Sequence, residues 1–86
     1  MLNLLYFTAD WCLPCKTYKP RFQKIAGSLD MKWVEIDVDQ EVDISNEYGI
    51  MSVPTIVILE DGIEEDRLIG AFPDDRLRER LERFVR

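Results

Sequence analysis

Hydrophobic residues follow a regular pattern from the start of the 86-residue chain. Leu2–Phe7 is short and mostly apolar, which predicts a buried strand. From Leu13 to about Leu29, apolar residues recur at spacings of three and four, which predicts a helix. The apolar face of this predicted helix consists of Tyr18, Phe22, Ile25, Ala26 and Leu29. Pro20 falls inside the helix, removes one backbone donor and is expected to kink it.

The middle of the chain predicts a strand, a short helix and a second strand. Lys32–Val38 alternates with a period of two, which is typical of a strand with one buried face. Glu41–Tyr48 is a short predicted helix that stops at Gly49, a common residue after a helix end. Pro54–Leu59 is rich in β-branched residues and suits a central strand, with its proline at the first position, where no ladder donor is required.

The last third of the chain predicts a hairpin followed by a helix. The sequence Glu60-Asp61-Gly62 tolerates the positive φ of a tight turn, so Ile63–Ile69 is expected to return as the partner strand. Pro73-Asp74-Asp75 starts a helix, because acids in the first turn and arginines later match the helix dipole. The predicted apolar face of this helix consists of Leu77, Leu81, Phe84 and Val85.

The resulting element order, β-α-β-α-β-β-α, predicts an α/β fold. Its first β-α-β unit requires a right-handed crossover between parallel strands, and the hairpin adds an antiparallel edge. We therefore expect residues 1–86 to form a single domain with a mixed four-stranded sheet and helices on both faces. In this arrangement Cys12 and Cys15 fall where the first strand gives way to the first helix.

Composition excludes several classes of function. The longest apolar runs, such as Ile56–Leu59, are too short to span a bilayer, so no membrane segment is expected. The net charge of −6 disfavours nucleic acids and anionic membranes as partners, because binding them needs clustered Lys and Arg. The N-terminus lacks the basic flank and cleavage site of a signal peptide, which predicts a cytoplasmic protein; a mature fragment of an export precursor is the alternative.

Charge is strongly segregated along the chain. Residues 34–66 carry eleven acids and no base, whereas residues 67–86 carry six arginines against four acids. One interpretation is a solvated acidic face that maintains solubility. The other is a docking surface for a basic partner, which predicts an association that weakens at high salt.

The pair of cysteines, Cys12 and Cys15, carries the candidate chemistry, and the sequence contains no other cysteine. Structural zinc sites favour four Cys or His ligands, and the sequence has no histidine, so a complete thiolate–imidazole site cannot form within one chain. A metal or iron–sulfur site bridging two subunits and a pair of inert core cysteines are the alternatives to a redox couple. The polar or amphipathic flanks, Asp10-Trp11 and Lys16-Thr17, favour a surface rim over a core position.

The spacing of the cysteines favours the redox couple. Cys12 is expected at the N-terminus of the helix, with Cys15 one turn later on the same face, where the two sulfurs can meet. The positive end of the helix and its unpaired amides favour a thiolate on Cys12. Pro14 suits the first turn, where a missing donor costs nothing. Cys12 would then attack a substrate disulfide, and Cys15 would resolve the mixed disulfide.

The sequence Trp11-Cys12-Leu13-Pro14-Cys15-Lys16 resembles the W-C-G-P-C-K active site of thioredoxins. Pro20 matches the kink proline of that family. Further matches follow in the family's order and approximate spacing: Tyr48-Gly49-Ile50, Val53-Pro54-Thr55, Asp61-Gly62 and Gly70-Ala71. The resemblance implies a thioredoxin-like fold without the usual first strand and helix. It also implies a protein disulfide reductase that binds no cofactor or metal and uses a Cys12–Cys15 disulfide as its redox centre.

The resemblance assigns roles to residues around the cysteines. Pro54 resembles the cis-proline that faces the cysteines, the alternative being a trans proline that starts a strand. The implied apolar rim that accepts partner chains consists of Trp11, Val53, Pro54, Gly70 and Ala71. The alternative for Trp11 is a packed aromatic. Lys16 either tunes the thiolate or is only a solvated helix residue.

Three positions depart from the family pattern. Leu13 replaces the glycine between the cysteines, in a dipeptide that helps to set the reduction potential. Tyr6 occupies the position of a buried aspartate that thioredoxins usually carry, and Glu35 occupies the position of the lysine that pairs with it. One hypothesis is that Glu35, bonded to the Tyr6 hydroxyl, supplies the buried carboxylate of a proton relay. The other is that Glu35 lies on an exposed strand face.

Together these features predict a small thioredoxin-like disulfide reductase and electron carrier, monomeric and active in cell redox homeostasis. Glutaredoxins tend to show C-P-Y-C and a later acidic–glycine pair, and Leu13-Pro14 and Glu60–Ile63 depart from both motifs. The expected reductant is therefore thioredoxin reductase. A ferredoxin-linked reductase is an alternative. The second interpretation of the whole protein is a glutathione-dependent, glutaredoxin-like reductase. A non-catalytic module that binds through the Trp11 rim is the third. Ribonucleotide reductase is expected as a client on family grounds.

Overall fold

The computed structural model describes residues 1–85. The elements are β1 (Leu2–Thr8), α1 (Leu13–Ser28), β2 (Lys32–Asp37), α2 (Val42–Glu47), β3 (Thr55–Glu60), β4 (Ile63–Ile69) and α3 (Asp74–Glu82). The strands form a four-stranded sheet in the order β2-β1-β3-β4. β1 is parallel to β2 and antiparallel to β3, and β4 is antiparallel to β3. The predicted α/β class, element order and mixed sheet are therefore confirmed.

The two central strands are β1 and β3, which are apolar on both faces. Every residue from Leu4 to Thr8 and from Thr55 to Leu59 is buried, as expected for strands covered on both sides. The edge strands β2 and β4 instead carry most of the charged strand residues, which protect a sheet edge from pairing with other chains.

Helices cover both faces of the sheet, as predicted. α1 and α3 pack against each other on one face. The core beneath them includes Leu4, Tyr6, Phe22, Ile25, Ile56, Ile58, Leu68, Leu77 and Leu81. On the other face, Tyr48 and Ile50, which follow α2, pack on a smaller cluster. That cluster consists of Leu5, Phe7, Ile36, Val57 and Leu59.

Contacts among three aromatic rings pack α1 against the sheet. The Tyr6 and Phe22 rings stack with their centroids 4.8 Å apart. The Trp33 ring meets Phe22 edge-on at 5.1 Å. Because these residues come from β1, α1 and β2, the contacts fix the helix relative to two neighbouring strands, and aromatic pairs of this kind add stability beyond their buried area.

Two details of the sequence prediction are wrong. α3 ends at Glu82, so Val85 does not extend its apolar face and is 44% exposed, whereas Phe84 packs partly against the core. Val34 is 50% exposed although the alternation in β2 suggested a buried face. The reason is the position of β2 at the sheet edge, where only Ile36 lies deep enough to be buried.

Candidate active site

A disulfide joins Cys12 and Cys15 at the junction of β1 and α1. Cys12 is the N-cap of α1, with extended backbone angles of φ −91° and ψ 98°. Its Sγ accepts a hydrogen bond of 3.2 Å from the backbone N–H of Cys15. The Cα atoms of the pair are 5.3 Å apart, so the prediction that the two sulfurs meet across one turn is confirmed.

The end of α1 provides a favourable environment for negative charge on Cys12. The Cys15 N–H points at the Cys12 sulfur, and the first turn of the helix contains no acidic residue. The helix dipole is therefore not offset by a carboxylate in that turn, and both effects stabilise a thiolate relative to a thiol. Once the disulfide is opened, Cys12 is thus suited to act as a nucleophile.

Burial distinguishes the two sulfur-bearing residues. Cys12 is 4% exposed and Cys15 is fully buried. Both pack with Ala9, and Val38 and Val53 lie against this small apolar cluster. Of the two cysteines, Cys12 is therefore the one that retains some contact with solvent, and Cys15 lies deeper.

The segment before β3 faces the disulfide. The Val53–Pro54 peptide bond is cis, as the resemblance implied. The carbonyl oxygen of Val53 lies 3.8 Å from Cys12 Sγ. Gly70 N–H donates to the Pro54 carbonyl at 2.9 Å, so the end of β4 lies next to Pro54. Pro54 is buried, Val53 and Gly70 are partly exposed and Ala71 is exposed; of these predicted rim residues, Val53 lies against the cysteines and Gly70 is bonded to Pro54, and the place of Ala71 in the rim stays a prediction.

Trp11 is 71% exposed, so it is not a packed core aromatic. Its indole Nε1 donates to Asp39 Oδ2 at 2.8 Å. Sequence reasoning missed Asp39 as a partner. The sequence alone gave no signal for this pair, because it depends on the register of β1 and β2, which ends with Thr8 opposite Asp37 and places the two following loops side by side.

Tyr6 lies buried beneath the active-site helix, with its hydroxyl donating to the backbone carbonyl of Cys15 at 2.8 Å. Burial, followed by the charges of Tyr18 and Glu35, raises the pKa of Tyr6 to about 12. The hydroxyl therefore remains protonated throughout the neutral range. Its hydrogen bond connects β1 directly to the first turn of α1.

The hypothesis that Glu35 bonds to the Tyr6 hydroxyl and supplies a buried carboxylate is wrong. The Glu35 side chain is 42% exposed, and its Oε1 accepts a hydrogen bond of 2.7 Å from Lys19 Nζ on α1. The physical reason is again the edge position of β2, from which a side chain can turn to solvent. Within residues 1–85, no Asp or Glu side chain is buried.

The remaining predicted residues of the motif lie on the outer surface of the first turn. Leu13, Pro14 and Lys16 are all exposed. Leu13 is the first helical residue and Pro14 the second, where a missing backbone donor is tolerated. An exposed Lys16 fits the interpretation of a solvated helix residue, and its influence on the Cys12 thiolate stays a prediction.

Other kinds of site were also sought. Residues 1–85 contain no group of three or more His, Cys, Asp or Glu side chains placed to hold a metal ion. Across the same residues, no helix has the length and apolar character needed to cross a membrane.

Comparisons with known proteins agree with the geometry of the site. The Thioredoxin family model matches residues 1–83. The thioredoxin of Mycoplasmoides gallisepticum is 43% identical over 76 residues, which are 87% of this chain and 76% of that protein. The thioredoxin of Staphylococcus saprophyticus is 34% identical over 86 residues, 98% of this chain and 83% of that protein. The solved structure of a mutant thioredoxin from Halobacterium salinarum superimposes with a TM-score of 0.91 at 32% identity, covering 99% of this chain and 75% of that one.

Proposed function

Because the chain belongs to the thioredoxin family and is a thiol–disulfide oxidoreductase, we propose that residues 1–86 act as one domain that reduces protein disulfides. Cys12 is the nucleophile and Cys15 the resolving thiol. The observation that carries these roles is the position of Cys12 at the helix N-terminus, in front of a fully buried Cys15. A glutaredoxin-like reductase and a non-catalytic module are not favoured, since the relatives are thioredoxins and the cysteines form a disulfide.

The proposed reaction consists of two thiol–disulfide exchanges. The Cys12 thiolate attacks one sulfur of the client disulfide, and the other client sulfur leaves as a thiolate that takes up a proton. Cys15 loses its proton and attacks Cys12 Sγ, which releases the first client sulfur and forms the Cys12–Cys15 disulfide. Two electrons thereby pass from the chain to the client, whose disulfide becomes a dithiol.

Residues around the cysteines position the client and the helix. We assign client binding to the rim formed by Trp11, Val53, Pro54, Gly70 and Ala71. The short distance between the Val53 carbonyl and Cys12 Sγ supports this assignment. Tyr6 and Pro14 support the first turn of α1, and Lys16 adds a positive charge near it. Glu35 has no part in this proposal, because its carboxylate pairs with Lys19 in solvent.

The partners follow from the family. We propose a thioredoxin reductase as the electron donor and disulfide-containing proteins as clients, with ribonucleotide reductase as one candidate. The cytoplasm is the proposed location, because a dithiol reductase works where thiols are kept reduced. In that setting the chain serves as an electron carrier in redox homeostasis and acts as a monomer.

The assignment of the two cysteines is tested by insulin reduction with dithiothreitol as the electron source. Wild-type protein is expected to accelerate the reduction. Cys12→Ser should abolish the acceleration. Reduced Cys15→Ser, freed of dithiothreitol before insulin is added, should accumulate a mixed disulfide with the client, detected by intact-mass spectrometry. Insulin reduction by Cys12→Ser at the wild-type rate would contradict the assignment.

The electron donor is tested in a separate assay of the oxidised protein. NADPH with a thioredoxin reductase should reduce the Cys12–Cys15 disulfide, whereas glutathione with glutathione reductase and NADPH should reduce it much more slowly. The rate of NADPH oxidation, followed by its absorbance, reports both reactions. Faster reduction by glutathione would favour the glutaredoxin-like alternative.

A further inference from the structure

Three large apolar side chains lie exposed on the chain segments that border Cys12. Trp11 and Leu13, its two neighbours in sequence, are each 71% exposed. Met51 is 97% exposed and lies two residues before Val53, whose carbonyl faces the Cys12 sulfur. We call Trp11, Leu13 and Met51 the apolar collar. Single exposed apolar residues are ordinary on a protein surface, but two that flank one reactive cysteine in sequence, with a third on the segment that leads to Val53, call for an explanation.

The burial of Cys12 explains why a collar matters for the reaction. With only 4% of Cys12 exposed, a client sulfur reaches it only by approaching between the surrounding side chains. The residues next to the client cysteine must then lie against those side chains. Apolar client residues gain free energy from the contact because both surfaces leave water, whereas small polar residues gain little.

The collar is also partly ordered before any client binds. The hydrogen bond from Trp11 Nε1 to Asp39 Oδ2 fixes the indole ring. Leu13 begins α1, so its backbone is held by the helix. Ala9 and Val53 pack against the two cysteines, so the immediate surroundings of the disulfide are apolar as well. A surface arranged in advance loses little conformational entropy on binding.

We propose that the apolar collar selects disulfides whose reacting cysteine has a bulky apolar neighbour, and that Leu13 is a specificity-determining residue for this choice. The inference rests on the proposed function and names its substrate class. Leu13 is the natural choice, because it adjoins Cys12 and most of its side chain remains available for contact. Covering about half of a leucine side chain corresponds to roughly a tenfold preference in kcat/KM.

The test uses short peptides, each with one intramolecular disulfide, whose reduction potentials are matched. The peptides differ only at the residue beside the reacting cysteine. That residue is leucine, serine or arginine, and kcat/KM is measured for each peptide. Wild-type protein should prefer the leucine peptide to the serine peptide by about tenfold, with the difference mainly in KM. Comparing two peptides within one variant cancels any change in the reduction potential of the Cys12–Cys15 pair.

Four variants make the test specific. Leu13→Ser should reduce the leucine-to-serine ratio to about two, and Met51→Ser should reduce it by a smaller factor. The conservative Leu13→Met should keep most of the preference. Ile63→Ser is the matched control, because Ile63 is 65% exposed at the far end of the β3–β4 hairpin, and it should leave the ratio unchanged.

The outcomes separate this inference from the proposed function. A wild-type ratio near one, or a ratio that persists in both Leu13→Ser and Met51→Ser, overturns the collar. A higher kcat/KM for the arginine peptide than for the leucine peptide also overturns it, since attraction to nearby acids would then dominate. Failure of the wild-type protein to reduce any of the three peptides contradicts the proposed function itself.

Discussion

At the scale of single residues, Tyr6 illustrates how a side chain can support a redox site without taking part in proton transfer. Its hydroxyl donates to the Cys15 carbonyl, and its ring stacks on Phe22. With a pKa of about 12, the phenol is too weak an acid to serve as an efficient proton donor or acceptor near pH 7. Tyr6 therefore acts as a positioning residue for the first turn of α1.

Replacing Tyr6 with phenylalanine separates a role in positioning the first turn of α1 from a role in proton transfer. Tyr6→Phe keeps the ring and removes one hydrogen bond, so urea unfolding should show a loss of about 1 kcal/mol. The exchange in which Cys15 resolves the mixed disulfide should slow, while its pH profile should keep the wild-type shape. Tyr18→Phe is the control, because the Tyr18 hydroxyl is also buried but interacts with the backbone of Phe72 and makes no hydrogen bond to the turn that holds the cysteines, so it should cost less than Tyr6→Phe and leave the resolving exchange unchanged. A shifted pH profile in Tyr6→Phe would contradict a purely positioning role.

The two buried tyrosines also predict how stability changes at high pH. Burial raises the pKa of both Tyr6 and Tyr18 from 10.0 to about 12. The unfolded chain therefore releases these protons first, and the stability they confer is complete below about pH 10 and lost as the pH rises towards 12. Urea unfolding at several pH values should show this fall. A Tyr6→Phe/Tyr18→Phe double variant should show a smaller fall, and equal slopes in both proteins would contradict the assignment.

At the scale of elements, an ion pair connects α3 to the edge strand β4. Arg80 donates from Nε to Asp66 Oδ2 at 2.9 Å and from a terminal nitrogen to Oδ1 at 2.7 Å. Both side chains are about a quarter exposed, at 28% and 24%. The hydrogen bonds from Arg80 hold the pKa of Asp66 below its ordinary value of 3.8. The pair thus adds to the docking of α3 that the buried Leu77 and Leu81 provide on the neighbouring face of the helix.

Removing the charge of Asp66 tests this connection. Asp66→Asn should lower the free energy of unfolding by about 1 kcal/mol at pH 7. Because the pKa of Asp66 is depressed in the folded state, its contribution is present above about pH 4 and disappears as the pH falls through the folded value. The difference between wild type and variant should therefore shrink in acid.

The Glu79–Arg83 pair on the same helix provides the control for Asp66→Asn. Its side chains are 71% and 61% exposed, so solvent screens the interaction. Glu79→Gln should change the unfolding free energy by only a few tenths of a kcal/mol. Equal losses in Asp66→Asn and Glu79→Gln would show that the bidentate geometry of the first pair adds nothing.

At the scale of the whole molecule, charge influences which small disulfides reach Cys12. The net charge is −6, and Asp10 and Asp39 are exposed on the two loops beside Trp11. Such a field attracts cations and repels anions over about one Debye length, which is roughly 10 Å at 0.1 M salt. These charges are therefore expected to change the rates at which charged disulfides reach Cys12, whichever interpretation of the acidic segment holds for protein partners.

Salt dependence tests this effect with three small disulfides. The second-order rate constant of reduced protein with cystamine, a dication, should fall severalfold between about 20 mM and about 500 mM NaCl. The rate with the dianion dithiodiglycolate should rise, and the rate with neutral hydroxyethyl disulfide should stay nearly constant. Identical salt dependence for all three reagents would rule out steering by the charge of the protein.

Local patterns in the sequence were sufficient for most of the architecture. Hydrophobic patterns, β-branched runs and turn or capping residues together predicted every strand and helix in the described chain to within about three residues. The Asp61-Gly62 turn was also predictable, since both residues adopt positive φ, at 53° and 84°. The position of Cys12 at the start of α1 followed from the same reasoning. Each of these features depends on residues close together in the chain, so the sequence alone determined them.

Contacts between distant segments were decided only by the tertiary structure. The family resemblance suggested Glu35 as the partner of Tyr6, yet the hydroxyl donates to the Cys15 carbonyl and the carboxylate pairs with Lys19. The partner of Trp11 depends in the same way on the register between β1 and β2. The physical reason is that a side chain's partner depends on how strands align and which strand forms the edge, and neither is encoded in any single segment.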